Sequence, residues 1–183
     1  MKRLTVVFMA VAAFMLFAAG AAQAAPGMQT FGTGDVAITG ADSATIDNAD
    51  GQYGGVYMNA KKVSGKALSA VDFSFTATGS IEGGAPRFSI PIDDAAIDGS
   101  TDFQFADGSH DIAYAFLDVA NCGSGTVSTQ SLTCPVFLNA GGSWANWDAF
   151  AAANPTYRVA PGHRAFVIAD QAGSYDVSNI VLH

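Results

Sequence analysis

Residues 71–78 alternate apolar and polar side chains without a break, with Val71, Phe73, Phe75 and Ala77 set against Asp72, Ser74, Thr76 and Thr78. A period of two sends successive side chains to opposite faces of a strand, so this segment is predicted as a half-buried antiparallel β-strand. Residues 87–93 repeat the pattern, with Phe88, Ile90 and Ile92 on one face. Residues 112–119 and 135–138 are denser in apolar side chains and are read as more central strands. Residues 165–169 and 175–182 form a closing pair around a turn at 170–174. In the last strand Tyr175 and Val177 share one parity and Ile180 and Leu182 the other, so a bulge is expected near Ser178-Asn179. Shorter strands at 36–39, 44–46 and 55–59 sit between Gly, Asp and Asn turns.

One segment breaks the period. Ser143 can cap a short helix over about 144–153, which Asn154-Pro155 stops. Trp144, Trp147, Phe150 and Ala151 then form one apolar stripe, and packing of this helix onto the sheet is favoured over two tryptophans in a sugar groove. Many short strands, one short helix and frequent turns predict an all-β fold, an antiparallel β-sandwich with a jelly roll as the preferred version. A single domain is expected over 35–183, with 25–34 as a loosely held N-terminal lead.

The first 24 residues change the reading of composition. Met1-Lys2-Arg3 is basic, 4–17 is uncharged and apolar, and Ala22-Gln23-Ala24 ends a small-residue stretch, the pattern of a cleaved secretory signal. The apolar run is short for a membrane span of about 20 residues. The expectation is therefore a secreted, extracellular protein without membrane insertion. Of 8 basic and 16 acidic residues, Lys2 and Arg3 leave with the leader. The remaining acidic balance argues against an electrostatic nucleic-acid binder and against a polybasic membrane anchor. Cys122 and Cys134 are the only cysteines. In an oxidising compartment they are expected to form one disulfide around a Gly/Ser/Thr-rich loop, worth roughly 3 kcal/mol by loop entropy.

The run Gly83-Gly84-Ala85-Pro86-Arg87-Phe88-Ser89-Ile90-Pro91-Ile92-Asp93 is distinctive, as are Tyr114-Ala115-Phe116-Leu117-Asp118 and Phe166-Val167-Ile168-Ala169-Asp170-Gln171. Together they resemble a group of small secreted proteins of actinobacteria and related soil bacteria that carries no assigned activity. The resemblance covers roughly residue 51 to the C-terminus and implies a fold and a compartment, but supplies no catalytic residue. In such relatives the segment after the Ile-Asp looks like an Asp/Gly-alternating calcium loop, a pattern from which residues 93–102 depart. More loosely, the organisation is similar to β-sandwich carbohydrate-binding modules, a fold-level analogy only.

Candidate chemistry is sparse. Residues 93–102 are the best metal candidate, with Asp94, Asp98 and Asp102 at ligand positions when Gly99 takes the place of a calcium-loop glycine. Ala96 and Phe105 stand where further oxygen ligands belong, so a solvated turn whose Asp residues cap their own backbone is favoured, and no cofactor is expected beyond that candidate calcium. A glycosidase needs two facing carboxylates. Glu82, Asp93, Asp94 and Asp118 offer no spacing that singles out a pair. His110, His163 and His183 are scattered, and no nucleophile elbow, zinc-protease or phosphate-loop motif is present.

Aromatic side chains are the remaining handle. Tyr53 and Tyr57 flank Gly54-Gly55, and Tyr157 with Arg158 follows the helix. These four are the candidate ligand-binding residues, since tyrosine stacks on apolar faces and keeps a hydroxyl for hydrogen bonding. The leading expectation is a non-enzymatic binding module for an extracellular polysaccharide or cell surface. An envelope structural or protein-interaction role is the alternative, and a small hydrolase stands behind both. The oligomeric state is not legible.

Overall fold

The computed structural model describes residues 27–81, 83–94, 103–105, 108–123 and 125–183. The leader expected at 1–24 lies outside them. In chain order the strands are β1 (Gln29–Gly32), β2 (Asp35–Ile38), β3 (Ala44–Asn48), β4 (Gly54–Tyr57), β5 (Phe73–Gly79), β6 (Arg87–Asp94), β7 (Phe103–Gln104), β8 (His110–Asp111), β9 (Ala113–Asp118), β10 (Thr126–Ser128), β11 (Val136–Leu138), β12 (Ser143–Trp144), β13 (Tyr157–Val159), β14 (Phe166–Ala169) and β15 (Gly173–Leu182). Two helices interrupt them, α1 (Val119–Cys122) and α2 (Trp147–Ala153). None of the described helices is long and apolar enough to cross a membrane.

The strands pair antiparallel into two sheets and a small β7–β8 ribbon. One sheet runs β1-β4-β14-β6-β9-β11-β12, with β13 also paired to β6, and the other runs β10-β5-β15-β3-β2. The inner strands β3-β15-β5-β10 face β4-β14-β6-β9, and chain order among these eight strands is that of a jelly roll. This is the all-β sandwich that the period-two segments predict.

The alternation in β5 is realised directly: Phe73, Phe75 and Ala77 point into the core and are buried. Phe73 stacks on Phe88 of β6, so the two sheets meet ring on ring. Ile46, Val56, Ile90, Ile92, Leu117, Val127 and Val167 complete the same core. In β15 the register against β5 shifts between Ser178 and Val181, where Asn179 takes a φ of 53°, so the expected bulge reconciles the two parities. Cys122 and Cys134 are bonded, and the disulfide spans the crossover that leaves α1, adds β10 to one sheet and returns to β11 of the other.

Two boundaries differ from expectation. The helix starts at Trp147, not at 144, and its cap is Asn146, whose side chain accepts the Ala149 N–H at 2.9 Å. Ser143 and Trp144 instead fold back as β12 against Phe137 and Val136. The reversal is made by Gly141 and Gly142, both at φ above 100°, a conformation that side-chain-bearing residues avoid. The helix packs as expected. Trp147 is buried and donates its indole N–H to the Leu68 carbonyl at 2.9 Å, while Trp144 and Phe150 lie 4.7 Å apart. The segment expected as a loose lead joins the sheet from Gln29, because β1 pairs with β4 in four-residue register.

Candidate functional site

In β6 the odd-numbered residues Arg87, Ser89, Pro91 and Asp93 point away from the core that holds Phe88, Ile90 and Ile92. Their partners across the sheet share that outward face, since directly paired residues in a ladder project to the same side. Following the register from Ser89 gives one continuous row. Ser89 pairs with Phe166 on one side and with Phe116 on the other, Phe166 pairs with Tyr57, and Phe116 pairs with Phe137. Gln29 of β1 extends the row beyond Tyr57. Tyr57, Phe166, Phe116 and Phe137 are each half-buried, so the row presents aromatic surface on the outside of the eight-stranded sheet.

Neighbouring positions thicken the row into a band. Phe31 of β1 lies over Gly55 and against Tyr57, with ring centroids 4.3 Å apart, and meets Phe166 edge-on at 5.6 Å. A Cβ at Gly55 would come within 2.3 Å of the Val167 carbonyl oxygen and 2.6 Å of the Phe31 ring, so this glycine admits both the neighbouring strand and the ring. The glycines beside Tyr53 and Tyr57 make room for the protein's own backbone and side chains. Gly54 points inward, where Val36 and Ile46 fill the space. Tyr114, paired with Pro91, reaches across β6 to the Phe166 ring at 5.4 Å. Burial first, then the neighbouring Tyr57 and Asp111, raise the Tyr114 pKa above its ordinary 10.0, so its hydroxyl stays neutral and able to donate at physiological pH.

Polar groups bound the band at both ends. Toward β11 a cleft of about 270 Å³ is lined by Gly83, Gly84, Arg87, Phe116, Asp118, Asn121 and Phe137. The Arg87 guanidinium lies 5.7 Å from the Phe116 ring centre and pairs with Asp170 at 2.7 Å. Asp118 accepts both the backbone and the side-chain N–H of Asn121 at 2.7 Å, capping α1. At the β1 end a cleft of about 330 Å³ opens beside Arg164, whose guanidinium sits 5.4 Å from the Tyr57 ring centre and donates to the Gln29 side-chain oxygen.

The four candidate ligand-binding residues are separated by the fold. Tyr57 belongs to the band. Tyr53 is 44 % exposed just before β4, and its carbonyl accepts the N–H groups of Thr33 and Gly34. Tyr157 pairs with Asp94 in β13 and packs edge-on against Phe103 and Phe150, on the side of the sheet that buries Ile92. Its pKa is raised by burial and then by the Asp94 charge. Arg158 donates to the carbonyls of Pro155 and Tyr157, at 2.8 and 2.7 Å. Asp94 is the last residue of β6 and is held in strand register. Asp98 and Asp102 lie outside the described residues, as does Glu82, and among the described residues no group of three His, Cys, Asp or Glu could hold a metal.

Phe31, Tyr114, Phe116, Phe137 and Phe166 are the site residues that sequence reasoning missed. The available signal was apolar density on both parities in 112–119 and 135–138, read there as central placement, and in 165–169, read as half of a closing pair. In an antiparallel sheet with one wet face, density on both parities also marks an aromatic outer face. No protein-family model, no curated protein and no solved structure matches this chain.

Proposed function

We propose that the protein is a secreted carbohydrate-binding module that holds a glycan on the outer face of the eight-stranded sheet and does not turn it over. The observation that carries this reading is the in-register row Tyr57, Phe166, Phe116, Phe137. Aromatic rings stack on the apolar C–H faces of pyranose rings, and hydroxyls at the sugar edges then need polar partners. Tyr114, Asn121, Arg87 and Gln29 stand around the row to supply them. From β4 to β11 the row crosses four inter-strand steps, roughly 19 Å at the usual strand spacing, room for several sugar rings. A protein-docking surface is the rival use of such a band. It calls for a broad apolar patch without converging polar groups, whereas polar groups converge here at both ends. The disulfide and the apolar leader suit export to an oxidising compartment.

Affinity electrophoresis through a panel of charged and uncharged polysaccharides tests the reading. The wild-type chain is expected to be retarded by at least one of them, and Phe116→Ala to weaken that retardation about tenfold, the value of one stacked ring at roughly 1.5 kcal/mol. Retardation by none would transfer the band to protein recognition. Release of reducing ends from any of them would overturn binding without turnover.

A further inference from the structure

The chain carries a net charge of −8, yet the larger cleft beside the band is lined by Lys61, His163 and Arg164 and, among the described residues, by no Asp or Glu. Its neutral lining includes Gln29, Asn59 and Ser64, all able to donate hydrogen bonds. The arrangement follows from the pairing of β4 with β14. Lys61 stands in a 3-10 turn shortly after β4 ends, and His163 and Arg164 shortly before β14 begins, so one antiparallel pair delivers all three to the same end of the sheet. Lys61 and Arg164 are exposed, and among the described residues neither forms an ion pair with a carboxylate. An adjoining cleft adds Lys62, again with no acidic lining among the described residues. At the opposite end of the band the cation is neutralised, because Arg87 is paired with Asp170. Arg164 joins the unneutralised cleft to the row, since its guanidinium lies over Tyr57.

We infer that the glycan held by this face is acidic, with a carboxylate or sulfate group seated among Lys61, His163 and Arg164 while its rings stack along the row, an inference that rests on the glycan reading above. Arg164 offers the planar fork that matches a carboxylate or sulfate, and Lys61 a mobile point charge that follows it. The site is polar in direction: the anionic sugar lies at the β1 end and an uncharged ring edge at the β11 end. In an acidic protein, a local cationic patch also orients an approaching polyanion toward the one surface that accepts it.

The test is affinity electrophoresis in polygalacturonate, in a sulfated galactan, in an uncharged galactan and in single-stranded DNA, for wild type, K61A/R164A and Phe116→Ala. Wild type is expected to be retarded by one of the two acidic glycans, and which one assigns the anion. Retardation should fall in about 1 M salt, where screening acts within roughly 3 Å. K61A/R164A should lose about tenfold on the acidic glycan, the value of one charge-assisted contact, with an unchanged melting curve because both residues are exposed. Equal retardation in the uncharged galactan with no effect of K61A/R164A would overturn the acidic specificity and leave the glycan reading standing. Loss of effect for Phe116→Ala as well, or retardation by DNA alone, would overturn both.

Discussion

On the five-stranded sheet the outer face shows Ser74, Thr76 and Thr78 from β5, Ser174 and Asp176 from β15, and Thr45 and Asp47 from β3. On the eight-stranded sheet the equivalent face shows Phe31, Tyr57, Phe166, Tyr114, Phe116 and Phe137. The two faces cover the same core in the same fold, so folding alone asks the same of both. Small polar β-formers satisfy that demand on the first sheet. The aromatics on the second exceed it, because half-buried rings leave apolar surface in water that a Thr would not. A surface kept apolar at that expense, with polar groups drawn to its ends, is the observation on which the proposed glycan site rests.

The comparison breaks most severely if the row proves to be core. Phe88→Ala, under the Phe73 ring and fully buried, is expected to cost about 3–5 kcal/mol in denaturant unfolding. Phe116→Ala on the outer face should cost no more than about 1.5 kcal/mol, since only part of its surface is removed from water. Equal losses would make the row structural. A second, smaller effect concerns what ties the sheets together. Replacing Cys122 and Cys134 by Ser should lower stability by roughly 3 kcal/mol through the released crossover loop, read as a lower melting temperature, with the row's retention unchanged. On the opposite face, Thr76→Ala is expected to stay within about 0.5 kcal/mol and to leave polysaccharide retention untouched. Lost retention there would move the site to the wrong sheet.

Alkali gives the smallest effect. Tyr114 and Tyr157 both have pKa values raised above 10.0 in the folded chain, so the fold favours their neutral forms. Their contribution is complete below the unfolded value and is lost as pH rises through the raised folded values. Stability measured from pH 9 upward should therefore begin to fall only above about pH 10. Tyr114→Phe should weaken that alkaline slope while keeping the ring against Phe166.

Much of the scaffold was legible in the sequence because it is written locally. Strand β5 announces itself in the unbroken alternation of residues 71–78, and the bulge follows from two parities within one strand. The Trp147–Phe150 stripe is a matter of helical spacing, and the disulfide of there being two cysteines 12 positions apart. The helix start was legible only in part, since Ser143 and Asn146 both cap well and the choice fell to the Gly141-Gly142 reversal that makes β12. The site was not legible. Its row joins residues 57, 166, 89, 116 and 137, neighbours only once jelly-roll pairing sets their register. Phe31 takes its place through the bare backbone of Gly55. Tyr57 could be named because it sits in a glycine-flanked strand, whereas Tyr157 shares its chemistry but faces Phe150 on the buried side.

Side-chain proton NMR during titration with oligosaccharides of the retained glycan reads both sheet faces in one measurement. Resonances of Tyr57, Tyr114, Phe116, Phe137 and Phe166 are expected to move together on one binding curve, while the side chains of Ser74, Thr76 and Thr78 stay still. Stationary rings on the eight-stranded sheet, with shifts on the β5 face or at Tyr157 instead, would contradict it.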